Sequence, residues 1–158
     1  MGSKRLAAAI TAAAAILSGP CYAAAAQMDP CSMLTSAQVG AVLGTQVAEG
    51  KHLASLVCEW AESRQGGQKK VSVTLLTDRG FAAAKTQVGG PITKTPASGI
   101  GDDAIFGTTS KVATTLAVKK GDVMFVVRVQ GFPIDQPQAV NDVQAKEKSL
   151  ALQIVSKL

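Results

Sequence analysis

The segment from Val112 to Val129 constrains this chain more than any other. Two apolar runs rich in β-branched residues, 112–118 and 123–129, flank Lys119-Lys120-Gly121-Asp122. A short polar break with a glycine between two such runs predicts an antiparallel hairpin. Alternation puts Phe125, Val127 and Val129 on one face of it and Arg128 on the other. A second hairpin follows from the same rule. Leu56, Cys58 and Trp60 alternate with Val57, Glu59 and Ala61, and Val71, Val73 and Leu75 alternate with Ser72, Thr74 and Leu76. Gln65-Gly66-Gly67-Gln68 is the turn between them. Shorter strand signals lie at 45–48 and after Gly99. The stretch 91–98 reads as a Pro- and Thr-rich loop, and Lys51 and His52 read as loop residues.

Three helices punctuate these strands. Thr35 and Gln38 have capping-box spacing, Leu34 and Val39 stand in staple positions, and Gly44 ends the segment, so a helix is expected over 36–43. Asp78 is placed to cap a second, over about 79–88, ended by Gly89-Gly90-Pro91. Asp135 and Gln138 open a third, with Pro137 in its first turn and Val143, Leu150, Ile154 and Leu158 along one stripe. The pattern predicts an α+β fold: an antiparallel sheet of five to six strands with helices on one face, in the order α-βββ-α-βββ-α.

The first 26 residues read as an export leader rather than as part of that fold. Lys4 and Arg5 precede an apolar run, 6–17, broken only by Thr11. Ser18, Gly19 and Pro20 interrupt it, and Ala23 to Ala26 offer small residues for cleavage. The run is shorter than the ~20 residues a spanning helix needs. Cleavage after Ala26 would leave 27–158 as one exported domain, periplasmic or secreted. That domain has 14 basic and 11 acidic residues, so the net charge falls from +5 to +3. Cys21 offers a second route, since bacterial lipoproteins are cut before a lipid-bearing Cys. Pro20 stands where a small Gly or Ala belongs, which argues against a lipid anchor at Cys21. A charge of +3 is no nucleic-acid signature. With aromatics at 4%, stacking platforms for single strands are scarce.

Two cysteines remain after the leader, Cys31 and Cys58. An even pair in an exported chain reads as one disulfide, with two buried thiols as the other reading. A bridge across 27 positions is worth about 3.5 kcal/mol by loop-closure entropy. Metal binding by Cys31, Cys58 and His52 lacks ligand spacing and a fourth donor.

Asp29-Pro30-Cys31-Ser32-Met33-Leu34-Thr35, Cys58-Glu59-Trp60 and Gly99-Ile100-Gly101-Asp102-Asp103-Ala104 occur in that order. Together they resemble a family of small exported bacterial proteins, best represented by actinobacterial lipoproteins of unknown function. The family pattern is Asp-Pro-Cys-x-Leu-Leu-Thr, then Cys-x-Trp, then Gly-x-Gly-Asp-x-Ala. The resemblance implies that Cys31 and Cys58 pair; it carries no activity to this chain.

Chemistry-bearing residues are few. His52 is the only imidazole and has no Ser or Asp at patterned spacing. Asp102 and Asp103 would point to opposite sides of an extended chain, and Glu59 and Glu62 face differently, so neither makes a catalytic pair. The turn at Gly99 and Gly101 reads as a tight turn whose Asp bonds nearby amides, or as a backbone nest for an anion. Lys69-Lys70 and Lys119-Lys120 fall at hairpin ends and would form a basic patch if those ends share an edge. The expectation is a non-catalytic exported binding or accessory protein, with no cofactor and no metal, acting on a protein or a small apolar ligand. An inhibitor or an envelope-associated factor is a special case. Its candidate surface is Lys69, Lys70, Gly99, Gly101, Asp102, Asp103, Lys119 and Lys120. A hydrolase-type enzyme with an unrecognised site is the alternative.

Overall fold

The computed structural model describes residues 28–86, 92–109 and 113–158. The leader 1–26 with Cys21, the Gly89-Gly90-Pro91 helix end and Val112 lie outside them.

The chain opens with a 3-10 turn, Pro30–Ser32, whose first amide is capped by Asp29. Helix α1, Ser36–Leu43, follows directly. Its capping box is formed: the Gln38 N–H donates to Thr35 Oγ1 at 3.2 Å and the Thr35 N–H to Gln38 Oε1 at 2.9 Å. Gly44 ends it at φ 67°, where a side chain would be strained. Strands β1 (Lys51–Ala54), β2 (Val57–Ala61) and β3 (Lys70–Leu75) form a meander. Helix α2, Asp78–Thr86, crosses to a second meander: β4 (Ile92–Pro96), β5 (Asp103–Thr109), β6 (Ala113–Lys120) and β7 (Val123–Gln130). Helix α3, Pro137–Val155, closes the chain. Pairing of β3 with β7 joins the meanders into one antiparallel sheet, ordered β1-β2-β3-β7-β6-β5-β4.

Among the described residues the fold is therefore α+β, with seven strands and the order α-βββ-α-ββββ-α. Three differences from the sequence expectation stand out, and two of them share one cause. The strand at 45–48 shrinks to an isolated bridge, Val47 with Glu62, while 51–54 and 92–96 are strands rather than loops. β1 and β4 are the two edges of the sheet. Edge strands bury little, so their sequences need no apolar alternation, and an edge tolerates Pro96.

The helices occupy both faces, not one. Helices α1 and α3 cover the face bearing Cys58, Trp60, Val71, Val73, Leu116, Val118, Phe125 and Val127, all at most 1% exposed. The Cys31–Cys58 disulfide, with Cα atoms 5.1 Å apart, ties the opening turn to this core. Helix α2 sits on the other face, with Phe81 packed on Ala117 and Met124. Its first turn is capped by the Thr77 hydroxyl, which accepts the Gly80 N–H at 3.1 Å, and Asp78 lies inside the helix. Helix α3 begins without a side-chain cap, so the Asp135–Gln138 box does not form; Gln138 bonds Asp142 instead. Leu158 falls past the helix end and is exposed.

Candidate binding face

One rung of residues crosses the sheet on the α2 side. Lys51 pairs with Glu59, Glu59 with Ser72 and Ser72 with Arg128. From the other edge, Lys94 pairs with Gly107 and Gly107 with Thr115. Thr115 and Arg128 each stand one position beyond the last β6–β7 pair, Leu116 with Val127. The two central strands part there, so the middle of the sheet is forked. Helix α2 covers this face over β5, β6 and the Val123 end of β7, which leaves Glu59, Ser72 and Thr74 only partly covered.

The fork is used from both sides. On the α1/α3 side, Glu147 of α3 enters it with no exposure. Its Oε1 accepts the Val129 N–H at 3.2 Å, an amide that β6 no longer reaches. Glu147 Oε2 and Thr114 Oγ1 are buried without hydrogen-bond partners among the described residues. Burial raises the Glu147 pKa to about 8, against the pull of the Val129 amide and the Arg128 guanidinium. Glu147 belongs to no motif in the sequence, although its spacing from Val143 and Leu150 places it on the inward stripe of α3. On the α2 side, a groove of about 310 Å³ opens between Ala84, Ile92, Lys94, Thr115, Val126 and Arg128. Gly107 floors it: a Cβ there would come within 3.1 Å of Thr115 Oγ1 and 3.2 Å of Lys94 Nζ.

The surface expected from the sequence is divided. Lys70 lies opposite Gln130, while Lys120 lies opposite Val123, so the two lysine pairs sit at opposite ends of β7, roughly 23 Å apart at ~3.3 Å per residue. They form no common patch. At one end, Lys69 reaches the Leu43 carbonyl at 3.2 Å and stacks 5.1 Å from the Phe132 ring, and Lys70 pairs with Glu59. At the other end, Lys120 meets Asp102 at 3.0 Å, Lys119 meets Asp78 at 3.6 Å, and Lys85 pairs with Asp103.

The glycine turn is a clamp on that second end. Gly101, at φ 59°, brings its backbone so close to the Lys119 carbonyl that a Cβ would fall 2.4 Å from the oxygen. Ile100 is buried at 3% exposure. The Asp102 N–H donates to the Lys119 carbonyl at 2.8 Å, and Asp102 Oδ2 accepts the Gly121 N–H at 2.7 Å. The Gly121 amide and Lys120 hold the Asp102 carboxyl below its usual range. Gly99, at φ 75°, is exposed with open space around it.

His52 differs from its expectation in two respects. It lies on edge strand β1, and its Nε2 is 3.2 Å from Asp29 Oδ1, with both side chains about half exposed. Asp29, Cys31 and His52 bring donor atoms together, but Cys31 is spent in the disulfide. Among the described residues no hydroxyl hydrogen-bonds His52, and Asp29 already accepts the Cys31 N–H at 2.8 Å. No helix among the described residues is long and apolar enough to cross a membrane. Compared with known proteins, the chain matches no family model, no curated protein and no solved structure.

Proposed function

We propose that this protein is a non-catalytic exported binding or accessory module of the periplasm or cell exterior, engaging its ligand or partner through the half-covered face of the sheet. The observation that carries this reading is the rung at the fork. Lys94, Thr115 and Arg128 line an open groove on a face that the helices leave partly uncovered. The other face of the sheet is covered by α1 and α3, which pack their apolar side chains against it. Export is supported by the leader-like sequence of 1–26 and is compatible with the disulfide, since disulfides persist in oxidising compartments. The resemblance to small exported bacterial proteins points the same way.

The alternative, a hydrolase, would rest on His52 and Asp29. A nucleophile next to them is what that chemistry requires.

The test is affinity capture from the envelope and culture fractions, with the exported protein as bait. Wild type and His52→Ala should retain the same protein or small molecule, identified by mass spectrometry. Ser72→Arg, which fills the open face, should lose it with an unchanged melting temperature. Turnover of an ester or peptide by wild type that is lost in His52→Ala and Asp29→Ala would replace the binding reading with the enzymatic one.

A further inference from the structure

The groove at the fork has a specific chemical character. Among the described residues its two charged lining groups are cations, Lys94 and Arg128, and no carboxylate lines it. The stretches 87–91 and 110–112, which adjoin Ile92 and Ala113 in sequence, contain no Asp or Glu, and their one charge is Lys111. The Arg128 Nε is buried and has no hydrogen-bond partner among the described residues. A buried donor left without an acceptor is costly, so the Arg128 side chain, which also lines the groove, is incompletely satisfied. The carboxyl on the opposite side of the fork, Glu147, bonds the Val129 amide, and burial favours its neutral form.

The remaining lining restricts the acceptor. Ile92, Val126, Ala84 and Ala113 give apolar walls. The volume, about 310 Å³, stands at the small end of ligand pockets. One N–H of Lys94 is committed to the Ala84 carbonyl at 2.6 Å, in the last turn of α2. That turn is the negative end of the helix dipole, which opposes any anion and a doubly charged phosphate more than a singly charged carboxylate. One guanidinium, one partly committed ammonium and apolar walls suit a single negative charge on an apolar body.

We propose that the groove between α2 and the β6–β7 fork binds a small apolar monocarboxylate, with Arg128 and Lys94 holding the carboxylate and Ile92 and Val126 the apolar body. This assignment rests on the binding-module reading and names the ligand class of that same face. Gly107 belongs to the site because its missing side chain leaves the floor on which Lys94 crosses toward Thr115.

The probe is octanoate, titrated into the isotopically labelled exported protein and followed by amide chemical shifts. Saturable shifts should centre on Gly107, Thr115 and Arg128. Arg128→Gln and Lys94→Met should each weaken binding about ten-fold or more, and neither octanol nor inorganic phosphate should compete. Absence of saturable shifts, shifts centred elsewhere, or both variants binding within two-fold of wild type overturns the assignment. Competition by phosphate at equal affinity overturns the monocarboxylate class. If Arg128→Gln does not fold, Lys94→Met decides. A protein that ignores octanoate yet captures its partner in a Ser72-dependent way loses this ligand and keeps the binding reading. One that binds octanoate in the groove but captures no protein keeps both.

Discussion

The two faces of the one sheet obey different constraints. Toward α1 and α3, the inward positions of β2, β3, β6 and β7 are closed and, Thr114 apart, apolar, with Trp60 and Phe125 at their centre. Toward α2, the same strands present Glu59, Ser72, Thr74 and Arg128 with partial exposure, and α2 packs on one corner. Neighbouring residues on one strand thus answer to different demands. Cys58 is locked by the disulfide and the core, while Glu59 beside it needs only a lysine and water. Burial at ~25 cal/mol per Å² makes the closed face the source of folding free energy. The open face is free of that demand, so its residues are available for contact.

The largest effect that tests this contrast is on stability. Cys58→Ala removes the disulfide and a filled core position, and should lower stability by roughly 2–5 kcal/mol. Ser72→Ala, on the adjacent strand but the opposite face, should stay within about 0.5 kcal/mol. Denaturant titration of the two variants measures both. Similar losses in the two would mean that the open face is also part of the packed structure.

This asymmetry explains what was legible in the sequence. The alternation of 56–61, 71–75 and 123–129 is the imprint of one closed face, so those strands and their hairpins were readable. The capping box of α1 was readable because Thr35 and Gln38 act on backbone groups only three residues away. The edge strands β1 and β4 left no imprint, because pairing on one side and exposure on the other impose no pattern. The position of α2 on the second face was hidden for a related reason. Phe81 is its one buried side chain, and one residue sets no periodicity. Of the site, the alternation of 123–129 puts Arg128 on the face away from the core, but Lys94 comes from an edge strand far off in sequence, and the fork that separates Thr115 from Arg128 has no local signature. The separation of the two lysine pairs depends on which strands adjoin β7, a long-range fact that no local motif encodes.

Glu147 breaks the rule that the closed face is apolar, and so gives the next test. Its pKa is raised from 4.5 to about 8 by burial. Across that window the folded protein holds a proton that the unfolded chain has released. Stability should therefore fall as pH rises from about 4.5 to 8, by at most about 1.4 kcal/mol per pH unit from this group. Glu147→Gln keeps the shape and cannot ionise, so its stability should be flatter over the same range and should exceed that of wild type above pH 8. Urea midpoints at several pH values read this directly. Equal slopes in the two proteins would mean that Glu147 is ionised in the fold and that the closed face tolerates a charge.

The smallest effect concerns the Gly99–Asp103 turn, which lies at the rim between the faces. If it were a contact surface, Asp102 would be available to a partner. Its bonds instead point inward along the sheet, to the Gly121 amide and to Lys120. Removing them should loosen one hairpin tip and leave both faces as they are. Asp102→Ala should therefore speed amide exchange from Lys119 to Val123, with little change at Phe125 or Val127. The Asp102 carboxyl is held below its usual pKa by those same partners, so the tip should also loosen in wild type as pH falls into the acidic range where Asp102 gains a proton, and the variant should lack that step. Capture of the partner should survive the substitution. Lost capture with unchanged exchange would move the turn from scaffold to contact surface and extend the open face to the rim.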